Sequence, residues 1–162
     1  MIHPAPTGKI DPTLARGVLE RIESLSPGSI HAAAAKDAGG RIHSVAVLSF
    51  PNTSYQTHLL VDDPGALADR LHKRVVGVIA LDARRVDVVN SGGKYLEPVF
   101  GRPRRVQGKV VATDAARNTI VVDAAVPVHC RLTDDRQRAS DFRVGDFVSF
   151  DAMDGASFEL KD

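Results

Sequence analysis

The sequence predicts an α+β protein that is mainly β, with an N-terminal β-rich part carrying two short helices and a C-terminal five-stranded small barrel. Three observations predict this class. Short Val-rich segments alternate with Gly, Pro and Asn turns along most of the chain. Two Asp-Pro pairs mark the starts of helices. A hydrophobic content of 43% and a charged content of 25% are typical of a soluble globular chain.

The N-terminal part, residues 1–100, is expected to hold both helices. In residues 11–25, Asp11 and Pro12 open the first turn, and apolar residues then recur at steps of three or four. In residues 64–73 a second Asp-Pro start precedes two leucines on one helical face. These patterns predict helices near 11–25 and near 64–73.

Strands are expected over residues 29–35, 41–50 and 55–61, and the four alanines of the first segment are also compatible with a helix. Residues 74–80 and 105–111 align without gaps, and a second Val-rich segment follows each of them. The alignment predicts two similar hairpins. They arise either from a genuine repeat or because hairpins that begin with Val-x-Gly resemble one another.

The C-terminal part, residues 101–162, is expected to be the barrel. Its five strands are predicted at 105–113, 118–123, 126–132, 146–152 and 156–161, with Asp154 and Gly155 as a hairpin turn between the last two. A barrel of about 60 residues is marginal alone, so it is expected to pack on the first part.

This part resembles the oligonucleotide/oligosaccharide-binding (OB) fold. The residues that carry the resemblance are the long first hairpin, Val126-Pro127-Val128 as a third strand, and Phe142-Arg143-Val144-Gly145-Asp146-Phe147-Val148. The resemblance implies a Greek-key barrel that binds an extended polymer on one face. The short connection between the third and fourth strands also fits an SH3-like barrel.

Charge is distributed unevenly: residues 70–109 carry ten Lys or Arg against three Asp or Glu, although the net charge is only +1. If the fold gathers these residues, they form a basic surface that contacts phosphates. The first hypothesis is therefore a non-catalytic binding module for a polyanion, with nucleic-acid backbone as the preferred ligand. The residues expected to make the contacts are Arg102, Arg104, Arg105, Lys109, Arg84, Arg85 and Lys94.

Two other interpretations remain open. The chain is alternatively a structural or adaptor domain whose basic surface meets an acidic protein partner. The arginines of residues 101–105 also fit a solvated linker that pairs with neighbouring acids.

Strands two and three of the predicted barrel lack the aromatic residues on which bases usually stack. This favours contact with the nucleic-acid backbone over reading of the bases. An AT-hook is a weak match, because Phe100 stands where its first arginine belongs.

The sequence contains no recognisable catalytic motif, and neither a metal nor a cofactor is expected. Cys130, the single cysteine, is expected to be a buried, inert thiol on an alternating strand. No apolar run approaches the ~20 residues of a membrane helix, and the first residues lack the pattern of a secretory signal. A cytoplasmic location is therefore expected.

Overall fold

The computed structural model describes residues 10–23, 44–90 and 92–161. Twelve strands of these residues form one sheet. In chain order they are β1 (Ala15–Glu23), β2 (Ser44–Ser49), β3 (Gln56–Val61), β4 (Arg74–Ala83), β5 (Asp87–Val88), β6 (Tyr95–Glu97), β7 (Phe100–Gly101), β8 (Arg105–Asp114), β9 (Thr119–Asp123), β10 (Pro127–Leu132), β11 (Phe147–Asp151) and β12 (Ser157–Leu160). Helix α1 (Pro64–Leu67) continues as a 3₁₀ turn (Ala68–Arg70), and a second 3₁₀ turn spans Ala139–Asp141.

Five strands close into a β-barrel, which we call the first ring. Its order is β1-β2-β3-β12-β4, and β4 pairs back onto β1. The contact between β3 and β12 is parallel, and the other four are antiparallel. Helix α1 lies in the connection between β3 and β4. This strand order, with its single parallel contact, is compatible with an OB-like fold.

A second ring of pairings uses β8, β9, β10, β4 and β11. Its ladders run β11-β8-β9-β10, and β10 pairs in parallel with the C-terminal half of β4. A single antiparallel bridge between Ala83 at the end of β4 and Ala152 directly after β11 completes the ring. Strand β4 therefore belongs to both rings: residues 74–80 pair with β1 and β12 of the first ring, and residues 80–83 pair with β10 of the second.

Equivalent hydrogen bonds show that the two rings repeat one unit. The carbonyl of Leu19 accepts a hydrogen bond from the N–H of His72 at 2.7 Å, and the carbonyl of Val110 accepts one from Gly145 at 2.8 Å. Both donors have positive φ, 63° and 103°. In both rings a β-bulge directly follows the accepting residue on the first strand. Strands β1–β4 and β8–β11 are thus structural repeats, and each repeat runs on into the ring of the other.

The composition of the barrel differs from the prediction. The five strands predicted in residues 101–162 all exist, close to their expected bounds. However, the last of them, β12, belongs to the first ring, and the second ring takes its fifth strand from β4. The hairpin predicted at Asp154 and Gly155 is therefore wrong, because the chain turns there toward β3 and β4 rather than back along β11. The boundary predicted between residues 100 and 101 stays a prediction, although ladders cross it.

The helix predicted over residues 11–25 is wrong, because β1 occupies residues 15–23. Ala15, Leu19 and the glycine between them point inward in strand alternation. The bulge after Leu19 adds one residue, so Ile22 again packs against the core. Apolar residues three apart across a bulge imitate the spacing of a helix, and pairing with β2 and β4 decides the conformation.

The second predicted helix is confirmed in a shorter form, over residues 64–70. The Asp63 carboxylate accepts a hydrogen bond from the N–H of Ala66 at 3.2 Å, and Pro64 stands in the first turn.

The first of the two predicted hairpins is wrong, because β4 pairs with β1, β12 and β10, whereas β5 pairs with β11. The strand predicted over residues 29–35 lies outside the described residues.

Candidate nucleic-acid interface

Three chain segments meet at the short stretch that follows β11. The N–H of Arg84 donates to the carbonyl of Asp151 at 2.9 Å, and the N–H of Ala152 donates to the carbonyl of Arg104 at 2.9 Å. Both arginine side chains are exposed. Backbone hydrogen bonds therefore hold two arginines, twenty residues apart in the chain, on either side of one short segment.

Ion pairs bring two more arginines to the same segment. Arg102 lies 3.1 Å from a carboxylate oxygen of Asp154, and Arg105 lies 2.7 Å from one of Asp151. Tyr95 and then Asp151 raise the pKa of Arg105 above its usual value through hydrogen bonds. We call Arg84, Arg102, Arg104 and Arg105 the arginine cluster. The structure thus brings together four of the seven cations that the charge pattern indicated.

No backbone hydrogen bond or ion pair among the described contacts ties the other three predicted cations to this segment. Arg85 pairs with Asp87 at 3.0 Å, and Lys94 pairs with Asp123 at 2.6 Å. Lys109 is exposed and faces Asp123 across the β8–β9 ladder. It is four residues from the start of β8, a displacement of about 13 Å along the strand. Lys94 and Lys109 therefore form a separate basic area around Asp123.

An exposed aromatic side chain lies beside the arginine cluster, next to strand β3 of the first ring of strands. Phe100 is 57% exposed and belongs to β7, which pairs in parallel with β3. The ring of His58 on β3 meets it edge-on, with centroids 4.8 Å apart and an interplanar angle of 69°. The guanidinium of Arg21 lies 5.8 Å from the centroid of the Phe100 ring. Beside these residues is a groove of about 420 Å³, which Arg102 and Pro103 also line.

Sequence reasoning missed this aromatic position. Stacking residues were expected on strands two and three of the predicted barrel. Phe100 instead precedes that barrel and lies beside β3 of the first ring. The available signal was a large apolar residue directly before the Gly-Arg-Pro run, where no strand alternation required it to be buried. Its neighbours His58 and Arg21 are distant in the chain, so only the fold brings them together.

The second ring carries a matching groove of about 680 Å³. His129, which faces Val121 as His58 faces Val47, lies in it, and its Nε2 is 2.7 Å from the carbonyl oxygen of Thr13. Four acids and two arginines line this groove, and no aromatic residue of the described chain does so except the histidine. Its rim consequently suits polyanions less well than the surface around Phe100 does.

The prediction made for Cys130 is decided by burial. Cys130 is fully buried, as predicted, and burial raises the pKa of its thiol well above the ordinary value. Over residues 10–23, 44–90 and 92–161, no group of three or more His, Cys, Asp or Glu is placed to hold a metal ion. Among the same residues, no helix has the length and apolar character required to cross a membrane.

The fold and the surface together define a small β-barrel protein with an arginine-rich edge beside an exposed aromatic ring. No protein-family model, characterised protein or solved structure matches the chain.

Proposed function

We propose that the chain is a non-catalytic binding module with an OB-like arrangement that contacts nucleic-acid backbone through the arginine cluster. The observation that carries the proposal is the convergence of four arginines on the segment 151–154. Two carboxylates, Asp151 and Asp154, pair with two of the four. Arg84 and Arg104, whose positions are set by backbone hydrogen bonds, supply the excess positive charge.

The chemistry of the cluster supports phosphate as the ligand. A guanidinium group is planar and always charged, and it donates two parallel hydrogen bonds to a phosphate. Binding also releases the counterions condensed on the nucleic acid, and this release adds to affinity at low salt. Hydrogen bonds already hold the backbones of Arg84 and Arg104 in place. Little backbone conformational entropy is therefore lost when their side chains bind a phosphate.

The interleaving of acids with the predicted cations favours a second candidate, an acidic or mixed-charge protein partner. Arg85 and Lys94 each pair with an aspartate, as do Arg102 and Arg105. Such a mosaic is suited to a partner of complementary pattern, which gives specificity through charge placement. In that case the chain is an adaptor domain.

The test is a fluorescence-anisotropy titration of labelled single- and double-stranded DNA and RNA over a series of salt concentrations. The variant is the double change Arg84→Gln with Arg104→Gln. Its matched control is Arg16→Gln with Arg143→Gln, which removes the same charge. Arg16 faces Val76 on β4, eight residues before Arg84, a displacement of about 26 Å along the strand.

We expect wild type to bind more weakly as salt rises. The test variant should lower the salt slope by about 1.4 for a single strand, and the control should leave it unchanged. An equal effect of the two double variants would show that the contact is not made by the cluster. Absence of binding at low salt would overturn the proposal, and co-purification of a stoichiometric protein would then support the adaptor.

A further inference from the structure

We propose that Phe100 is a stacking platform for a base of single-stranded nucleic acid whose backbone runs over the arginine cluster. This inference rests on the proposed function and assigns it a class of ligand: a single strand rather than a duplex. It depends on the exposure of Phe100, on the rigidity of its support, and on its place next to the arginines.

The support of the ring is rigid. Phe100 and Gly101 pair with Gln56 and Thr57 of β3, and the N–H of Gln56 donates to the carbonyl of Val99 at 2.8 Å. Pro103, three residues further on, is buried. Phe100 therefore presents a large apolar ring to solvent from a fixed backbone, and a ligand that covers this ring gains the free energy of removing apolar surface from water.

The surroundings of the ring suit a flat aromatic ligand. The rings of His58 and Phe100 meet in a T-shaped contact, Phe100 remains 57% exposed, and the groove of about 420 Å³ lies beside both residues. Arg21 lies near the ring and also pairs with Glu23 at 3.4 Å. An exposed cation–π contact is worth about 2- to 5-fold, whereas a base stacked on an aromatic side chain is worth about 5- to 150-fold in affinity. A base therefore displaces Arg21 from the ring or stacks between the two side chains.

The order of residues along the chain joins the stacking position to the phosphate contacts. Phe100 and Arg102, a member of the arginine cluster, line the same groove, and Arg104 follows Arg102 by two residues. A nucleotide with its base on Phe100 thus has its phosphates beside the cluster. In a duplex the bases are stacked inside the helix and are not available to Phe100, so only a single strand makes both contacts.

The experiment compares Phe100→Leu with Phe100→Tyr. Leucine keeps apolar bulk without an aromatic face, whereas tyrosine keeps the face. Val144→Ala, at another exposed apolar residue, is the surface control. Each protein, with all 162 residues, is checked by thermal unfolding and titrated with labelled twelve-nucleotide oligothymidylate, an abasic strand of the same length, and a duplex of the same length.

We expect Phe100→Leu to weaken binding of oligothymidylate by about 5-fold, the lower end of the loss that alanine causes at a stacking aromatic residue, while leaving the abasic strand and the duplex unchanged. Phe100→Tyr and Val144→Ala should bind as wild type does. Equal effects of Phe100→Leu on oligothymidylate and the abasic strand, or tighter binding by that variant, would overturn the inference and leave the proposed function standing. If the wild-type protein bound none of the three probes at low salt, both the inference and the proposed function would be overturned.

Discussion

The phenol of Tyr55 joins the two rings through a hydrogen bond to the backbone of Ala124. Its oxygen accepts a hydrogen bond from the Leu96 N–H at 2.9 Å, and its hydroxyl donates to the carbonyl of Ala124 at 3.1 Å. Tyr55 directly precedes β3 of the first ring, whereas Ala124 directly follows β9 of the second. All of these groups are buried, so one side chain satisfies two backbone groups that water does not reach.

Replacing Tyr55 with Phe should therefore destabilise the protein by about 1–3 kcal/mol, because a buried N–H and a buried carbonyl lose their partner. The control is Tyr95→Phe. In the wild-type protein the Tyr95 hydroxyl donates to the side-chain oxygen of Gln107 at 3.2 Å in a half-buried position. Water replaces that partner, and the cost should stay below about 1 kcal/mol. Urea unfolding of the three proteins measures the difference. Equal stability of the two variants would show that Tyr55 does not join the rings energetically.

Glycines at matching places in the repeat allow two strands to approach closely. A Cβ on Gly108 would lie 2.1 Å from the carbonyl oxygen of Asp123, and one on Gly17 would lie 2.6 Å from that of Ser49. Each change to Ala should cost about 2–3 kcal/mol, because the opposing group is backbone that must move. Gly93→Ala, where nothing lies within 4 Å, should be nearly neutral. Thermal unfolding midpoints test this, and a neutral Gly108→Ala would contradict the β8–β9 geometry.

Strand exchange between the rings predicts how fragments behave. A fragment of residues 101–162 lacks β4, so β10 loses its parallel partner and the second ring stays open. A fragment of residues 74–162 retains all five strands of that ring. The shorter fragment should show no cooperative unfolding by circular dichroism, whereas the longer one should unfold cooperatively. Cooperative unfolding of residues 101–162 alone would contradict the role of β4.

The buried thiol of Cys130 should react slowly with a disulfide reagent. Burial raises its pKa, so at pH 8 the native thiol is protonated and also inaccessible, and the thiolate is the reactive form. The unfolded chain has an ordinary thiol and should react fully within the mixing time of the assay. We expect native labelling to accelerate as denaturant is added. Rapid labelling without denaturant would show that β10 is not covered.

Local patterns were enough to find most strands and one cap. Alternation of buried and exposed residues predicted the strands from β8 to β12 closely, because a period of two is a property of the strand itself. Asp63 and Pro64 marked the start of α1 for the same local reason. The burial of Cys130 followed from alternation on β10. The arginines of residues 101–105 were visible as a charge run in the sequence. Arg84 and Arg85 were predicted as phosphate contacts together with them.

Partners between strands were decided only in the tertiary structure. The alternation of β12 is the same whether it pairs with β11 or with β4, since a pattern of inward residues does not name the neighbouring edge. The bulge in β1 gave a strand the apolar spacing of a helix, and only its ladders with β2 and β4 correct this. In the same way, Phe100 meets His58 and Arg21 because β7 joins the edge of β3. The sequence by itself determined most of the strands and their inward faces, which short-range sterics and burial set. The tertiary structure decided which edges met, and with them the candidate site, because that choice depends on contacts between residues far apart in the chain.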